Sequence, residues 1–203
     1  PAVSSLKALR RTSRPSAAKL PMIGFGNPLL DGNQSHPQYA AYFKQQAALA
    51  RAHKGCAQTV GQRTAALRGL SQSPAPLPQQ SGLADPAQLR RQSPLPETAD
   101  ELCAVARDLK ADVAEIRLGA RATEREVKAL SASGRLADYR ILHFATHGML
   151  AGQLSGASEP GLILTPPDKA TEEDDSYLSA SEIAGLKLDA DWVILSACNT
   201  AGG

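Results

Sequence analysis

Hydrophobic and polar positions follow different periods in different parts of the chain, and each period predicts a type of element. A short apolar run in residues 21–28, closed by Gly and Pro, predicts a strand followed by a turn. Residues 37–70 are rich in Ala, Gln, Arg and Leu, which favours one or two helices. Residues 71–96 hold six prolines among Ser, Gln and Gly and too little apolar surface to offset the entropy of ordering, so we predict a loop.

Beyond Pro96 the pattern alternates between helix and strand. Residues 98–110 place apolar side chains on one helical face, and capping boxes at 123–126 and 179–182 each open a further helix. Strands are predicted at residues 113–118, 139–145, 161–164 and 191–197. This alternation is typical of βαβ units, so we expect an α/β fold with a mainly parallel sheet and a ligand site at the carboxyl ends of its strands.

The composition fits one globular unit. A chain of 203 residues with 42% hydrophobic content can bury a single core, so we treat residues 1–203 as one domain. It carries no apolar run of membrane-spanning length and no export signal, from which we expect a cytoplasmic protein with no membrane partner. The sequence starts at Pro1 without Met and stops at Gly203 just after a strand pattern, so we expect a partial domain, truncated at its C-terminus.

Charge and cysteine content narrow the function classes. The net charge is +2, with basic residues predominating before Pro96 and acidic residues after it, but few aromatics are interleaved for base stacking. We therefore expect no nucleic-acid partner. The three cysteines, Cys56, Cys103 and Cys198, are too few and too irregularly spaced for a disulfide framework or a metal knuckle, so we expect a reducing compartment.

Two residues with nucleophile chemistry follow predicted strands. His147 comes just after the strand at 139–145, and Cys198 comes just after the strand at 191–197. A thiol becomes a strong nucleophile as a thiolate, and a nearby imidazole is the usual base that produces it. Neighbouring parallel strands lie about 4.8 Å apart, so the two side chains can meet at one sheet edge. The alternative to a catalytic pair is that Cys198 is a buried core cysteine and His147 a loop histidine without a function.

Gly148 adds a second feature of this site. A residue without Cβ lets a backbone N–H approach an oxyanion closely, so we assign the oxyanion donors to the N–H groups of Gly148 and Cys198. His143 and Asn199 are assigned supporting positions beside the pair. A metal site at His143 and His147 is disfavoured, because a strand would separate the two by about 13 Å. We expect neither a metal nor a cofactor.

The acidic run at residues 172–175 has two interpretations. It is either a solvated loop, which we favour, or a feature that attracts a basic substrate side chain.

Two segments resemble the paired signature blocks of the CHAT domain family. They are residues 140–148, Arg-Ile-Leu-His-Phe-Ala-Thr-His-Gly, and residues 193–200, Val-Ile-Leu-Ser-Ala-Cys-Asn-Thr. Weaker similarity extends to residues 24–28, 95–98, 122–124 and 178–183. The resemblance implies a caspase-hemoglobinase-like three-layer sandwich and a cysteine endopeptidase that acts on protein or peptide substrates through His147 and Cys198. It also implies flanking tetratricopeptide repeats in the parent chain.

A non-catalytic function is the alternative. The same fold can serve as a scaffold or interaction module beside helical repeats, and fold alone does not separate that function from catalysis.

Overall fold

The structure, a computed structural model, describes residues 15–35, 37–56, 82–154 and 157–196. Its strands are β1 (Leu20–Gly26), β2 (Ile116–Leu118), β3 (Tyr139–Ala145), β4 (His147–Met149), β5 (Gly161–Ile163), β6 (Tyr177–Ser179) and β7 (Trp192–Leu195). Its α-helices are α1 (Ala40–Ala52), α2 (Pro86–Arg90), α3 (Glu97–Asp108), α4 (Glu124–Ala132) and α5 (Ala180–Ala184). Short 3₁₀ helices span Val113–Glu115, Gly119–Arg121 and Arg135–Asp138. Within these ranges, no helix has the length and apolar content needed to cross a bilayer.

A four-stranded parallel sheet forms the centre of the molecule. Its strand order is β2-β1-β3-β7, with β1 paired to both β2 and β3. Parallel strands need crossover connections, and α3 and α4 supply them before β2 and β3. β7 lies at one end of the described sheet, and its four side chains are all exposed. The predicted α/β fold with a mainly parallel sheet is confirmed.

Helices cover both faces of this sheet. On one face, Phe25 of β1 stacks on Phe144 of β3 at a centroid distance of 5.2 Å, against Val127 and Leu130 of α4. Side chains alternate along a strand, so Met22 and Ala145 point to the opposite face. There they pack against the buried side of α3. The three layers agree with the predicted sandwich.

Capping side chains start two of the helices where the sequence predicted them. Thr123 Oγ1 accepts a hydrogen bond from the Glu126 N–H at 3.1 Å and so begins α4. At α5 both halves of the box form, because Ser179 Oγ accepts from the Glu182 N–H while the Glu182 carboxylate accepts from the Ser179 N–H. Each cap satisfies backbone donors that a helix start leaves unpaired.

A second, antiparallel sheet follows directly after β3. Its order is β4-β5-β6, and His147 of β4 pairs with Ile163 of β5. The close approach of β6 requires glycine at position 161, because a Cβ there would lie 2.7 Å from the Leu178 carbonyl oxygen. The sequence predicted β5 at 161–164 but not the neighbouring strands β4 and β6.

The segment predicted as a loop at residues 71–96 contains helix α2. Asp85 caps it by accepting a hydrogen bond from the Ala87 N–H at 2.9 Å, and Pro86 occupies the first helical turn, where its missing N–H costs nothing. Residues 57–81 lie outside the described residues, so the predicted helix at 37–70 is confirmed only as α1.

Two of the three cysteines form a disulfide. Cys56, after α1, is bonded to Cys103 on the buried side of α3, with their Cα atoms 5.3 Å apart. The expectation of no disulfide was therefore wrong. The two residues are 47 positions apart in sequence and come together only because both segments pack on the same face of the sheet.

Candidate active site

The carboxyl ends of β3 and β7 lie side by side. Phe144 is in register with Leu195, and the next amide, that of Ser196, donates to the Phe144 carbonyl oxygen at 2.8 Å. His147 is the third residue after Phe144, and Cys198 is the third residue after Leu195. Cys198 and Asn199 lie outside the described residues, so their predicted roles stay predictions.

His147 is held rigidly inside the molecule. Its side chain belongs to β4 and is 7% exposed, and its Nε2 atom lies 2.7 Å from the Ser93 carbonyl oxygen. A carbonyl oxygen can only accept a hydrogen bond, so Nε2 carries the proton and donates it. The neutral ring therefore presents an unprotonated Nδ1, which is the atom able to accept a proton from a nucleophile.

The surroundings of His147 favour its neutral form. Burial lowers the pKa of the imidazole below its usual value of 6.5, while the hydrogen bond to the Ser93 carbonyl partly opposes that effect. An imidazole that stays neutral near pH 7 is available as a general base.

Backbone and side-chain contacts fix the orientation of β4. Thr146, the residue between β3 and β4, donates its hydroxyl to the Ile163 carbonyl oxygen. Ser93, from the loop between α2 and α3, supplies the carbonyl that orients the imidazole. Sequence reasoning missed Ser93, because a backbone acceptor leaves no signal in the residue type.

Gly148 is buried in β4, opposite Leu162 of β5. The pairing of β4 with β5 therefore fixes the direction of the Gly148 N–H and C=O groups. The role of its N–H as an oxyanion donor stays a prediction, as does that of Cys198.

His143 lies on the face of the sheet covered by α3. Its side chain is 5% exposed, and Nε2 lies 2.8 Å from Ser196 Oγ and 3.6 Å from Oε1 of Glu101. Burial lowers the pKa of this imidazole, and the Glu101 carboxylate opposes the shift. The buried Nδ1 atom has no hydrogen-bond partner. His143 thus contacts the chain that leads to Cys198, while His147 turns into the second sheet.

The acidic run at residues 172–175 is only partly solvated. Asp174 is 5% exposed and forms an ion pair with Arg125, and Asp175 accepts hydrogen bonds from the N–H groups of Ala84 and Tyr177. The interpretation as a solvated loop was therefore wrong for these two residues, which hold the loop against its neighbours. Glu172 and Glu173 are exposed. Within the described ranges, no three His, Cys, Asp or Glu side chains cluster in a way that could hold a metal ion.

Comparison with known proteins identifies the family. Searches of curated proteins and of solved structures found no match. The profile of the CHAT domain, a caspase-like and peptidase-related family, matches residues 2–203. That match agrees with the helix-sheet-helix architecture. The chain belongs to the CHAT domain family.

Proposed function

We propose that this CHAT domain is a caspase-like cysteine endopeptidase whose catalytic pair is His147 and Cys198. The observation that carries the proposal is the register of β3 and β7, because both residues follow the aligned pair Phe144 and Leu195 by the same number of positions. Adjacent parallel strands lie about 4.8 Å apart. The two segments that carry His147 and Cys198 therefore leave the sheet side by side, from Phe144 and Leu195.

The imidazole is suited to activate the thiol. His147 Nδ1 takes the proton of the Cys198 thiol, and the thiolate attacks the carbonyl carbon of the scissile peptide bond. The N–H groups of Gly148 and Cys198 donate to the oxygen of the tetrahedral intermediate. As the C–N bond breaks, protonated His147 gives its proton to the leaving amine, which leaves a thioester on Cys198. A water molecule, deprotonated by His147, then hydrolyses the thioester and restores the thiol.

The Ser93 carbonyl supports both halves of this cycle. Its hydrogen bond to Nε2 keeps Nδ1 free of a proton before attack and stabilises the imidazolium that forms afterwards. Asn199 and His143 have supporting positions around the pair. The substrate is a protein or peptide, and tetratricopeptide repeats flank the domain in its parent chain. Metal, cofactor, nucleic acid and membrane have no part in this mechanism.

The deciding experiment measures how fast iodoacetamide alkylates Cys198 as a function of pH, using mass spectrometry of the full chain. We expect rapid labelling at about pH 7 in the wild type, because neutral His147 accepts the proton of the thiol and so favours the reactive thiolate. In His147→Gln the glutamine amide can still donate to Ser93, but the base is gone. The apparent pKa of Cys198 should then approach the free-thiol value of about 8.5.

His53→Gln is the matched control, because it removes another buried imidazole that lies after α1. It should leave the Cys198 profile unchanged. Cleavage of a peptide library by the wild type, abolished in Cys198→Ala, would complete the case. An ordinary Cys198 profile in the wild type would refute the catalytic pair. If, in addition, the wild type and Cys198→Ala bound a partner protein equally well, the scaffold function would replace the catalytic one.

A further inference from the structure

The side chains of β7, the strand that leads to Cys198, are exposed. β7 lies at the end of the described sheet, and the exposed fractions of its four side chains range from 36% to 43%. Ser196, the residue after β7, is also exposed. Among the described residues, the end of β7 is held by its hydrogen bonds to β3.

A side-chain bond joins the end of β7 to the interior. Nε2 of His143, whose side chain is 5% exposed, lies 2.8 Å from Ser196 Oγ. The backbone of Ser196 donates to the Phe144 carbonyl oxygen at 2.8 Å, so the residue is bonded twice to β3. A residue at an exposed strand end can exchange its hydrogen bonds for bonds to water at little cost. If Ser196 moved away, however, the buried imidazole of His143 would lose its hydrogen-bond partner, which costs free energy.

We assign the proton of the neutral His143 imidazole to Nε2. The Glu101 carboxylate lies 3.6 Å from this nitrogen and favours a proton there. The other nitrogen, Nδ1, is buried without a partner, and a bare acceptor is tolerated in that position better than a stranded N–H donor. His143 therefore donates to Ser196, and the Ser196 hydroxyl keeps its own hydrogen for donation.

This cluster does not have the geometry of a serine hydrolase. In a Ser-His-acid triad the hydroxyl and the carboxylate contact different ring nitrogens. Here Ser196 and Glu101 both approach Nε2 of His143. Ser196 is accordingly a contact of the chain before Cys198 and not a nucleophile.

We propose that the hydrogen bond from His143 to Ser196 is a positioning contact that holds the chain leading to Cys198 against β3. The inference rests on the catalytic pair proposed above and assigns it a second histidine, which acts through Ser196 and does not touch the reacting atoms. Ser196 lies two positions before Cys198, and a displacement of about 1 Å at a reacting group is enough to lower its reactivity.

The test compares Ser196→Ala, Ser196→Thr and His143→Leu in the full chain, with the pH profile of Cys198 alkylation as the readout. Ser196→Ala and His143→Leu should each raise the apparent pKa of Cys198 by about one unit, which lowers alkylation at about pH 6 by roughly tenfold. Ser196→Thr retains a hydroxyl and should restore the wild-type profile. The double variant should match the single variants, because both remove the same bond.

Leu142→Ala is the matched control. Leu142 lies on β3 next to His143, is fully buried, and points to the opposite face, so its truncation weakens the fold without touching the contact. It should lower the melting temperature and leave the pKa of Cys198 unchanged. If Leu142→Ala raised the apparent pKa of Cys198 as much as Ser196→Ala does, the effect would come from a general loss of stability, and the positioning role would be refuted.

The remaining outcomes separate the two proposals. If Cys198 of the wild type is activated but Ser196→Ala leaves its profile unchanged, the positioning contact is wrong and the catalytic pair stands. If Cys198 of the wild type titrates near 8.5, the catalytic pair fails and the positioning role falls with it. Hydrogen exchange at the amides of residues 197–199 checks the geometry directly. It should accelerate in Ser196→Ala and not in Ser196→Thr, and equal exchange in both would refute the contact.

Discussion

The ammonium group of Lys128 lies 2.5 Å from Oε1 of Glu124, a side chain that is only 1% exposed. The other carboxylate oxygen accepts hydrogen bonds from the N–H groups of Asp175 and Ser176 at 2.8 and 2.7 Å. Burial raises the pKa of Glu124 to about 7, while Lys128 pulls it down. Lys128 also contacts Glu182 of α5 at 2.7 Å, so one partly buried network of ion pairs and hydrogen bonds joins α4, α5 and the loop before β6.

Replacing Lys128 should lower the free energy of unfolding, because the buried Glu124 carboxylate loses its cationic partner. We expect Lys128→Met to destabilise the fold by about 1–2 kcal/mol more at about pH 8 than at about pH 5, because Glu124 loses the cation that stabilises its charged form. Without Lys128 the folded pKa of Glu124 rises further above its unfolded value of 4.5. Stability is then lost as pH rises through that interval, so the destabilisation should be smaller at about pH 5. Urea unfolding at the two pH values measures the difference.

Two further variants make the test specific to the ion pair. Lys44→Met removes an exposed lysine from α1 and should change stability by less than about 0.5 kcal/mol. Glu124→Gln added to Lys128→Met should recover part of the loss at high pH, since the uncompensated charge is gone. A loss that is the same at both pH values would contradict the buried charge as its cause.

Acid should destabilise the fold through His147. Because burial lowers its folded pKa below 6.5, the unfolded chain takes up a proton first as pH falls, and stability is lost below 6.5. The loss approaches about 1.4 kcal/mol per pH unit while only the unfolded form is protonated. In His147→Gln this contribution is absent, whereas those of His143 and Glu124 are common to both proteins. The difference in free energy of unfolding, wild type minus variant, should fall between about pH 7 and pH 5. Parallel profiles would show that His147 is not buried as a neutral group.

A methyl group at position 26 should be poorly tolerated. A Cβ on Gly26 would lie 2.5 Å from a Leu102 methyl carbon and 3.0 Å from the Ala145 carbonyl oxygen. The leucine can rotate, but the carbonyl belongs to a buried strand, so Gly26→Ala should cost about 1–3 kcal/mol. Gly55→Ala is the control, because a Cβ there meets no atom within 4 Å. Equal melting temperatures for the two variants would contradict the close packing of β1 on α3.

Local patterns were sufficient to predict the central sheet. The run at 139–145 is apolar and bounded by turn signals, and β3 has the same limits. The box at Ser179 and Glu182 forms in full, because both partners are three residues apart on one helix turn. The position of His147 just past β3 could be predicted for the same reason.

Features set by tertiary packing could not be predicted in this way. β4 and β6 are three residues long, so they show no period, and their pairing depends on β5. Ser93 contacts His147 through a backbone carbonyl that any residue type would supply. The contact between His143 and Ser196 joins two strands that are distant in sequence, and only their register brings the side chains together.

The disulfide between Cys56 and Cys103 should contribute measurably to stability. It closes a loop of 47 residues, for which the chain-entropy model gives a stabilisation of roughly 4 kcal/mol. Oxidised wild type should therefore unfold at a higher urea concentration than the Cys56→Ala/Cys103→Ala variant. Cys103 is 3% exposed, so part of the loss in that variant comes from the missing sulfur in the core. Dithiothreitol separates the two effects, because it should lower the midpoint of the wild type and leave that of the double variant unchanged. A wild-type midpoint that does not respond to reductant would mean that the two thiols are not joined in solution.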